Sequence, residues 1–377
     1  MKIYFSFSLL SILLLSCTQD TSMNHSFNPG KKWMDTDGAH INAHGGGFLY
    51  HDKTYYWFGE HKIAGESGNR AMVGVGVYSS KDLYNWKNKG IALSVVKDTT
   101  SKLEKGCVLE RPKVIYNKKT KKFVMWFHHE LKNQGYDAAF TGVAVSDNIK
   151  GPYNYIDSFR IHAGVLPLNF SQEDFDNAPK IESRKDDNWK EKIIKGAVFV
   201  RDFEVGQMSR DMTLYVDDDE TAYHITASEE NQTLLVSKLS DDYLSLTKEY
   251  IRVFPGGRNE APAIFKRKGK YFMFSSGLTG WKPNPGKLAV ADSLMGNWTF
   301  LGDPCIGTDT EKQTTFKSQS TYVLPIEGKK DAFIFMADRW IPKNAIDGRY
   351  IWLPIQFENE VPYLEWENSW KLSVFNQ

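Results

Sequence analysis

Three carboxylates stand at corresponding points of a recurring pattern: Glu110 in ERPKVIYN, Asp211 in SRDMTLYVDDD and Glu260 in NEAPAIFKRKGKYFMF. Each precedes an apolar run, a short charged turn and a second run rich in aromatics. Two further segments share the layout with other heads, His44 in HGGGFLYHDKTYYWFGE and Gln319 in QSTYVLPIEGKKDAFIFMADRW. The heads precede their second runs by 11 to 14 residues: His44 to Tyr55, Glu110 to Phe123, Asp211 to Ala222, Glu260 to Tyr271 and Gln319 to Phe333. Acids brought together in a pocket suit hydrolysis of a glycosidic bond. One stays protonated to donate to the leaving oxygen, while another group handles water or the anomeric carbon. Neighbouring negative charge raises the pKa of one of them, which creates the required asymmetry.

The elements that must position these heads are strands. Each polar turn (HDK, NKKTKK, DDDE, KRKGK, IEGKK) lies between flanks with the alternation or the β-branched and aromatic bias of a strand, so each segment reads as a β-hairpin. Another strand, a Ser/Asp turn and an aromatic follow the first four, in VGVYSSKDLYNW, GVAVSDNIKGPY, LLVSKLSDDYL and LAVADSLMGNW. Five such units with almost no helical periodicity predict an all-β, five-bladed propeller. Innermost strands line the axis of a propeller, so heads distant in the chain would converge there. A polar stretch from Ser158 to Lys190 is expected as a long loop packed on one face.

The chain of 377 residues is 41% apolar and 14% aromatic, enough for a large core, and its net charge of +1 is scattered without a basic block, which argues against nucleic acid as a partner. Eleven tryptophans fit blade packing, sugar platforms, or both. No Walker A loop, HExxH or GxSxG competes with the acids. Cys107 and Cys305 have no ligand or nucleophile spacing and are assigned no chemistry. Asp217, Asp218 and Asp219 read as solvated turn residues rather than a calcium site.

The N-terminal MKIYFSFSLLSILLLSC has Lys2, an apolar run too short to favour a span, and a small-residue boundary before Cys17. LLSC resembles the lipobox of bacterial lipoproteins. That implies a signal peptide over residues 1–16, a lipid on Cys17, a polar tether over 17–32 and a folded domain over 33–377. The expected location is the bacterial cell envelope, with membrane contact only through the lipid.

The five-unit layout and the heads ERPKVIYN, SRDMTLYVDDD and RNEAPAIF resemble glycoside hydrolase family 43, from roughly Trp33 to Ser373. AHGGG with YYWFGE, NEAPA, TGWKPNP and SQSTYVLP look more narrowly like its exo-β-1,3-galactanase branch. The resemblance implies Glu260 as general acid and Asp211 as the acid that orients it and tunes its pKa. Most of the family has a first-blade Asp as base. Here that strand reads NAHGGG, and the branch implies Gln319 in the water-handling place, as a water-orienting amide or a proton relay. Inversion is implied, with a separation of roughly 6.5–9.5 Å between the acid and the water-handling group. Glu60, Glu110 and His44 are expected to bind sugar hydroxyls, and Trp281 and Trp340 to stack on the sugar.

The resulting expectation is a monomer that releases galactose from the non-reducing end of β-1,3-galactan, the backbone of arabinogalactan. The acid–base chemistry needs no cofactor and no metal ligands are assigned, while a structural calcium or other ion in the channel is left open. The alternatives are an α-L-arabinofuranosidase or β-xylosidase of the same family, and a non-catalytic glycan-binding propeller.

Overall fold

All five expected hairpins form in the computed structural model, which describes residues 23–181 and 188–376. In the first, β1 (His44–His51) pairs antiparallel with β2 (Thr54–His61). Their two-residue turn has Asp52 and Lys53 left-handed, φ 46° and 57°, a pair of angles whose twist matches that of the strands. β3 (Gly74–Ser80) and β4 (Lys87–Ser94) complete the sheet in the order β1-β2-β3-β4. The second sheet runs β5 (Val108–Asn117), β6 (Lys122–Glu130), β7 (Phe140–Ser146) and β8 (Asn154–Phe159).

Three short helices follow, α1 (Gln172–Asp176), α2 (Trp189–Ile194) and α3 (Ala197–Arg201). Phe170 and Phe199 of this region pack on Leu235 and Tyr250 of the third sheet, so the described part of the long connection does lie against one face. That sheet is β9 (Met212–Val216), β10 (Ala222–Ser228), β11 (Thr233–Leu239) and β12 (Leu246–Val253). The fourth is β13 (Glu260–Arg267), β14 (Lys270–Ser276), β15 (Gly286–Ala291) and β16 (Thr299–Gly302). After β17 (Cys305–Ile306) and α4 (Asp309–Thr314) come β18 (Gln319–Pro325), β19 (Phe333–Arg339) and β20 (Arg349–Pro354), which form one sheet, then β21 (Gln356–Glu358) and β22 (Val361–Glu365).

The fold is an all-β propeller, but the five-bladed expectation is corrected. The described residues form six sheets, and the sixth has the order β17-β22-β21. Its β17 is a two-residue strand that pairs in parallel with β22, Cys305 opposite Leu364. A parallel pair has no hairpin turn to announce it, so the sixth sheet lies outside the repeat.

The first strands β1, β5, β9, β13 and β18 pack each against the next and back to β1 around the axis. Register slips near the head of β1, β5, β13 and β18. In three of these strands the residue after the head is left-handed: Gly45 at φ 60°, Arg111 at 56° and Ala261 at 53°. Such a bulge re-aims side chains beside a functional centre. At Gly45 a Cβ would fall 2.2 Å from Glu60 Oε1, so glycine is required there.

Between the sheets lie apolar clusters, the most aromatic of them containing Phe48, Trp57, Trp86, Trp352 and Trp370. Phe27 belongs to it at 2% exposure and exchanges backbone hydrogen bonds with Trp370, so the proposed tether is already part of the domain at that point. Cys107 and Cys305 are buried, free thiols in different clusters. Asp217 is not merely a solvated turn residue. It bonds Lys266 Nζ at 2.8 Å and Tyr271 of the next sheet, Asp218 accepts from the same Lys266 Nζ at 2.8 Å, and Asp219 is a turn residue as expected. Among the described residues no helix is long and apolar enough to cross a membrane. The proposed signal peptide and Cys17 lie outside the described residues.

Candidate active site

The ring of first strands encloses a cavity of about 320 Å³. Glu110, Asp211, Glu260 and Gln319 all line it, from four different sheets, so the expected catalytic residues do meet. Trp281 and Trp340 form part of the same wall. Below Arg111 the axis is filled by Lys113, 1% exposed, whose Nζ donates to Gly45 O at 2.8 Å and Arg111 O at 3.3 Å. Burial, then the nearby Arg111 charge, pushes its ammonium down to about 7.

Arg111 ties the heads together. Its Nε donates to Asp211 Oδ1 at 3.2 Å, its Nη2 to Asp211 Oδ2 at 3.0 Å and to Gln319 Oε1, and its Nη1 to Ser320 O at 2.9 Å. The two-pronged contact is the strong form of a carboxylate–guanidinium pair. Glu260 has the opposite environment. Burial, reinforced by the Asp211 charge, pushes its carboxyl up to about 8 against the opposing pull of Arg111. Burial is thus the larger cause and like charge the second. Asn231 Nδ2 donates to Glu260 Oε1 at 2.7 Å. In the protonated acid that oxygen is the carbonyl, and the proton falls on Oε2.

Gln319 is held at both ends of its amide. Its oxygen accepts from Arg111, and its Nε2 donates to Ser276 Oγ at 2.9 Å and approaches Glu260 Oε2 at 3.5 Å. The separation of roughly 6.5–9.5 Å therefore does not hold for this pair, because the amide leans on the acid's own carboxyl.

Glu60 and His44 lie one layer behind the wall. Glu60, 2% exposed, pairs with Lys62 Nζ at 2.6 Å and accepts Arg111 N–H at 3.1 Å. His44, 1% exposed, stacks on Trp340 with centroids 5.0 Å apart. Trp340 in turn meets the half-exposed Trp281 edge-on at 5.6 Å. Glu60 thus braces the Arg111 backbone and His44 backs the tryptophan pair.

Several lining residues were not singled out by the sequence, and five of them bond or face the heads. They are Arg111, His128, Tyr136, Asn231 and Asp338. Arg111 follows a head directly, but only the bulge turns both it and Glu110 inward. Asn231 lies in a turn where Glu229, Glu230 and Asn231 are all left-handed, a geometry that no turn residue pattern announces. Asp338 lies directly opposite Gln319 in the β18–β19 register and accepts Gly45 N–H. Glu110, His128 and Asp211 offer potential ligand atoms within 4.8 Å of one another. Both His128 nitrogens face carboxylates, however, Glu110 Oε2 at 3.1 Å and Glu130 Oε1 at 2.9 Å. Each nitrogen already has a carboxylate partner within the protein.

A propeller with a protonated acid and an arginine-clamped partner at its axis has close relatives. Residues 177–350 match the family model of glycosyl hydrolases family 43. A solved GH43 β-1,3-galactosidase with galactodeoxynojirimycin is 52% identical, over 92% of this chain and 100% of that one, with a TM-score of 0.87. This chain belongs to glycosyl hydrolases family 43. Another family 43 β-1,3-galactosidase is 38% identical over 94% of this chain and 65% of its own, TM-score 0.77. The exo-β-1,3-galactanase of Phanerochaete chrysosporium, solved with β-1,3-galactotriose, is 32% identical over 92% of this chain and 68% of its own, TM-score 0.74. A β-D-galactofuranosidase of Aspergillus niger is 28% identical over 135 residues, which span 36% of that curated relative. Glu260, expected as the general acid, is the carboxyl in this wall that burial pushes up.

Proposed function

We propose that this family 43 enzyme releases galactose from the non-reducing end of β-1,3-galactan. The observation that carries the reading is Glu260, buried beside Asp211 and held protonated at neutral pH in the wall of an axial cavity. Relatives that span nearly all of this chain act on β-1,3-galactosides. Glu260 donates from Oε2 to the glycosidic oxygen. Asp211, clamped by Arg111, keeps that proton in place until transfer. Gln319 orients water through the second lone pair of its oxygen, the first accepting from Arg111, and the proton that the attacking water loses passes to solvent. The sugar must displace Gln319 from Glu260 on entry. Glu110 accepts from sugar hydroxyls, and Trp281 offers a face for the C–H side of galactose.

Incubation with β-1,3-galactobiose is expected to give galactose, first as the α-anomer by inversion, and Glu260→Gln is expected to abolish it. Turnover of aryl arabinofuranoside or xyloside in place of galactobiose would transfer the assignment to a pentosidase. Galactobiose binding without turnover would make the protein a sugar-binding module.

From the LLSC boundary we also infer export and a lipid on Cys17, hence attachment to a bacterial envelope. A mature N-terminus other than Cys17, read by mass spectrometry, would remove that part of the proposal.

A further inference from the structure

Glu130 is a carboxylate at 0% exposure that does not line the cavity. It sits two residues beyond His128 on the same face of β6, and His128 is paired directly opposite Glu110 in the β5–β6 register. The three side chains form a line from the cavity wall inward: Glu110 Oε2 to His128 Nδ1 at 3.1 Å, then His128 Nε2 to Glu130 Oε1 at 2.9 Å. A neutral imidazole has one donor and one acceptor nitrogen. Either neutral tautomer would press a lone pair against a carboxylate, and only the imidazolium donates to both.

The far oxygens at both ends of the line also have donors. Glu130 Oε2 accepts Ala139 N–H at 2.8 Å, and Glu110 Oε1 accepts the Tyr136 hydroxyl at 2.9 Å. The other charged groups near the line are Asp211, with a carboxylate oxygen within 4.8 Å of the Glu110 and His128 atoms, and its partner Arg111. Behind Glu110 lies the Glu60–Lys62 pair.

Resting on the galactosidase reading, we propose that Glu130 and His128 are positioning residues: Glu130 fixes His128 as an imidazolium, and His128 holds Glu110 in the cavity wall as an anion ready to accept from sugar hydroxyls. A buried carboxylate without a cation would take up a proton, so the line explains why Glu130 is tolerated in a dry sheet. The charges agree with it. Burial alone would raise Glu110, but the His128 hydrogen bond and charge outweigh it and hold the carboxyl down at about 2. Burial would lower His128, and its two carboxylates outweigh that and lift it to about 9.

The test is Glu130→Gln. Its amide oxygen can accept from Ala139 while its NH₂ donates to His128 Nε2, which leaves the imidazole neutral and still bonded to Glu110. The KM for β-1,3-galactobiose is then expected to rise on acidification while kcat changes by less than about threefold. The acidic limb of kcat/KM should move up by about 1–3 pH units, the effect of removing one adjacent charge. Glu130→Asp, which keeps the charge, should return the limb toward the parent. If Glu130→Gln does not fold, His128→Gln supplies the same neutral donor to Glu110 and should shift the same limb. Histidine-selective NMR gives a readout independent of substrate: His128 is expected to be doubly protonated at pH 7.5 in the parent and neutral in Glu130→Gln. An unshifted limb, or a neutral His128 in the parent, would overturn the proposal. Absence of galactobiose turnover in the parent would remove the substrate assignment alone and leave the NMR result to decide the relay.

Discussion

Arg111 and Asp211 come from adjacent sheets and meet across the axis as a two-pronged ion pair, Nε to Oδ1 at 3.2 Å and Nη2 to Oδ2 at 3.0 Å. The same guanidinium reaches Gln319, so one residue positions both partners of the acid Glu260. It also opposes the raised pKa of Glu260 with its own charge. Two substitutions separate these roles. Arg111→Met should lower kcat/KM by about 100-fold or more, given that each lost charge-assisted bond is worth about 1.5–3 kcal/mol. It should also move the alkaline limb of the pH–rate profile upward, because a charge that favoured ionisation of Glu260 is gone. Arg111→Lys should restore the limb but not the rate, since an ammonium cannot make the fork. A lysine variant with parental rate would remove the positioning role.

Glu260 carries a cost to stability that can be measured. Its folded pKa of about 8 lies above the ordinary 4.5. Between those values the folded protein holds a proton that the unfolded chain has released, so stability falls as pH rises through this window. Glu260→Gln abolishes that term. The variant should be inactive on galactobiose, melt above the parent at pH 8, and lose that advantage below pH 4.5. The parent's kcat/KM should decline above about pH 8. A parent with full activity at pH 10 would show that Glu260 is not the group whose proton is needed.

The repeat was legible because a hairpin is local: turn, alternation and head all fall within about twenty residues, and the ring then assembles the heads. What the repeat could not show is how the backbone departs from it. Arg111 enters the site only because a non-glycine residue is left-handed there, φ 56°. Asn231 and Tyr136 come from connections with no period. The sixth sheet rests on a two-residue parallel strand whose partner is near the C-terminus. Phe27 sits in a polar run that reads as a tether, and only the distant Trp370 shows why it is buried. Five of the eleven tryptophans are buried core, and Trp281 and Trp340 differ from them by loop position rather than by residue type.

Gly45 supports the site from behind. Its φ of 60° disfavours any side chain, and an added Cβ would lie 2.2 Å from Glu60 Oε1. Glu60 cannot give way, because Lys62 Nζ holds it at 2.6 Å and Arg111 N at 3.1 Å. Gly45→Ala should therefore cost about 1–3 kcal/mol and displace Arg111. The melting temperature should fall by several degrees, and kcat/KM should fall more than the loss of folded protein explains. Unchanged activity per folded molecule would separate Gly45 from the site.

Three buried histidines make the fold sensitive to acid. Burial holds His129 down to about 4, and His162 and His224 to about 3. In the unfolded chain each takes up a proton near pH 6.5. The folded state therefore binds fewer protons between that pH and its own low values, and stability is lost as pH falls through this range. The upper limit is about 1.4 kcal/mol per pH unit for each histidine. His128 has the opposite sign: its raised value contributes stability below 6.5 that is lost as pH rises through about 9. Thermal melts should show a steep decline from pH 6.5 to 4. His162 can be tested alone, since it stacks face to face on Tyr250 at 3.7 Å and bonds Ser237 Oγ at 2.8 Å with its backbone left-handed. Asparagine tolerates that backbone and carries no proton at these pH values. His162→Asn should lower the melting temperature at pH 7, where the stack is lost, and flatten the decline toward pH 4. A decline of parental steepness would assign the acid sensitivity to other groups.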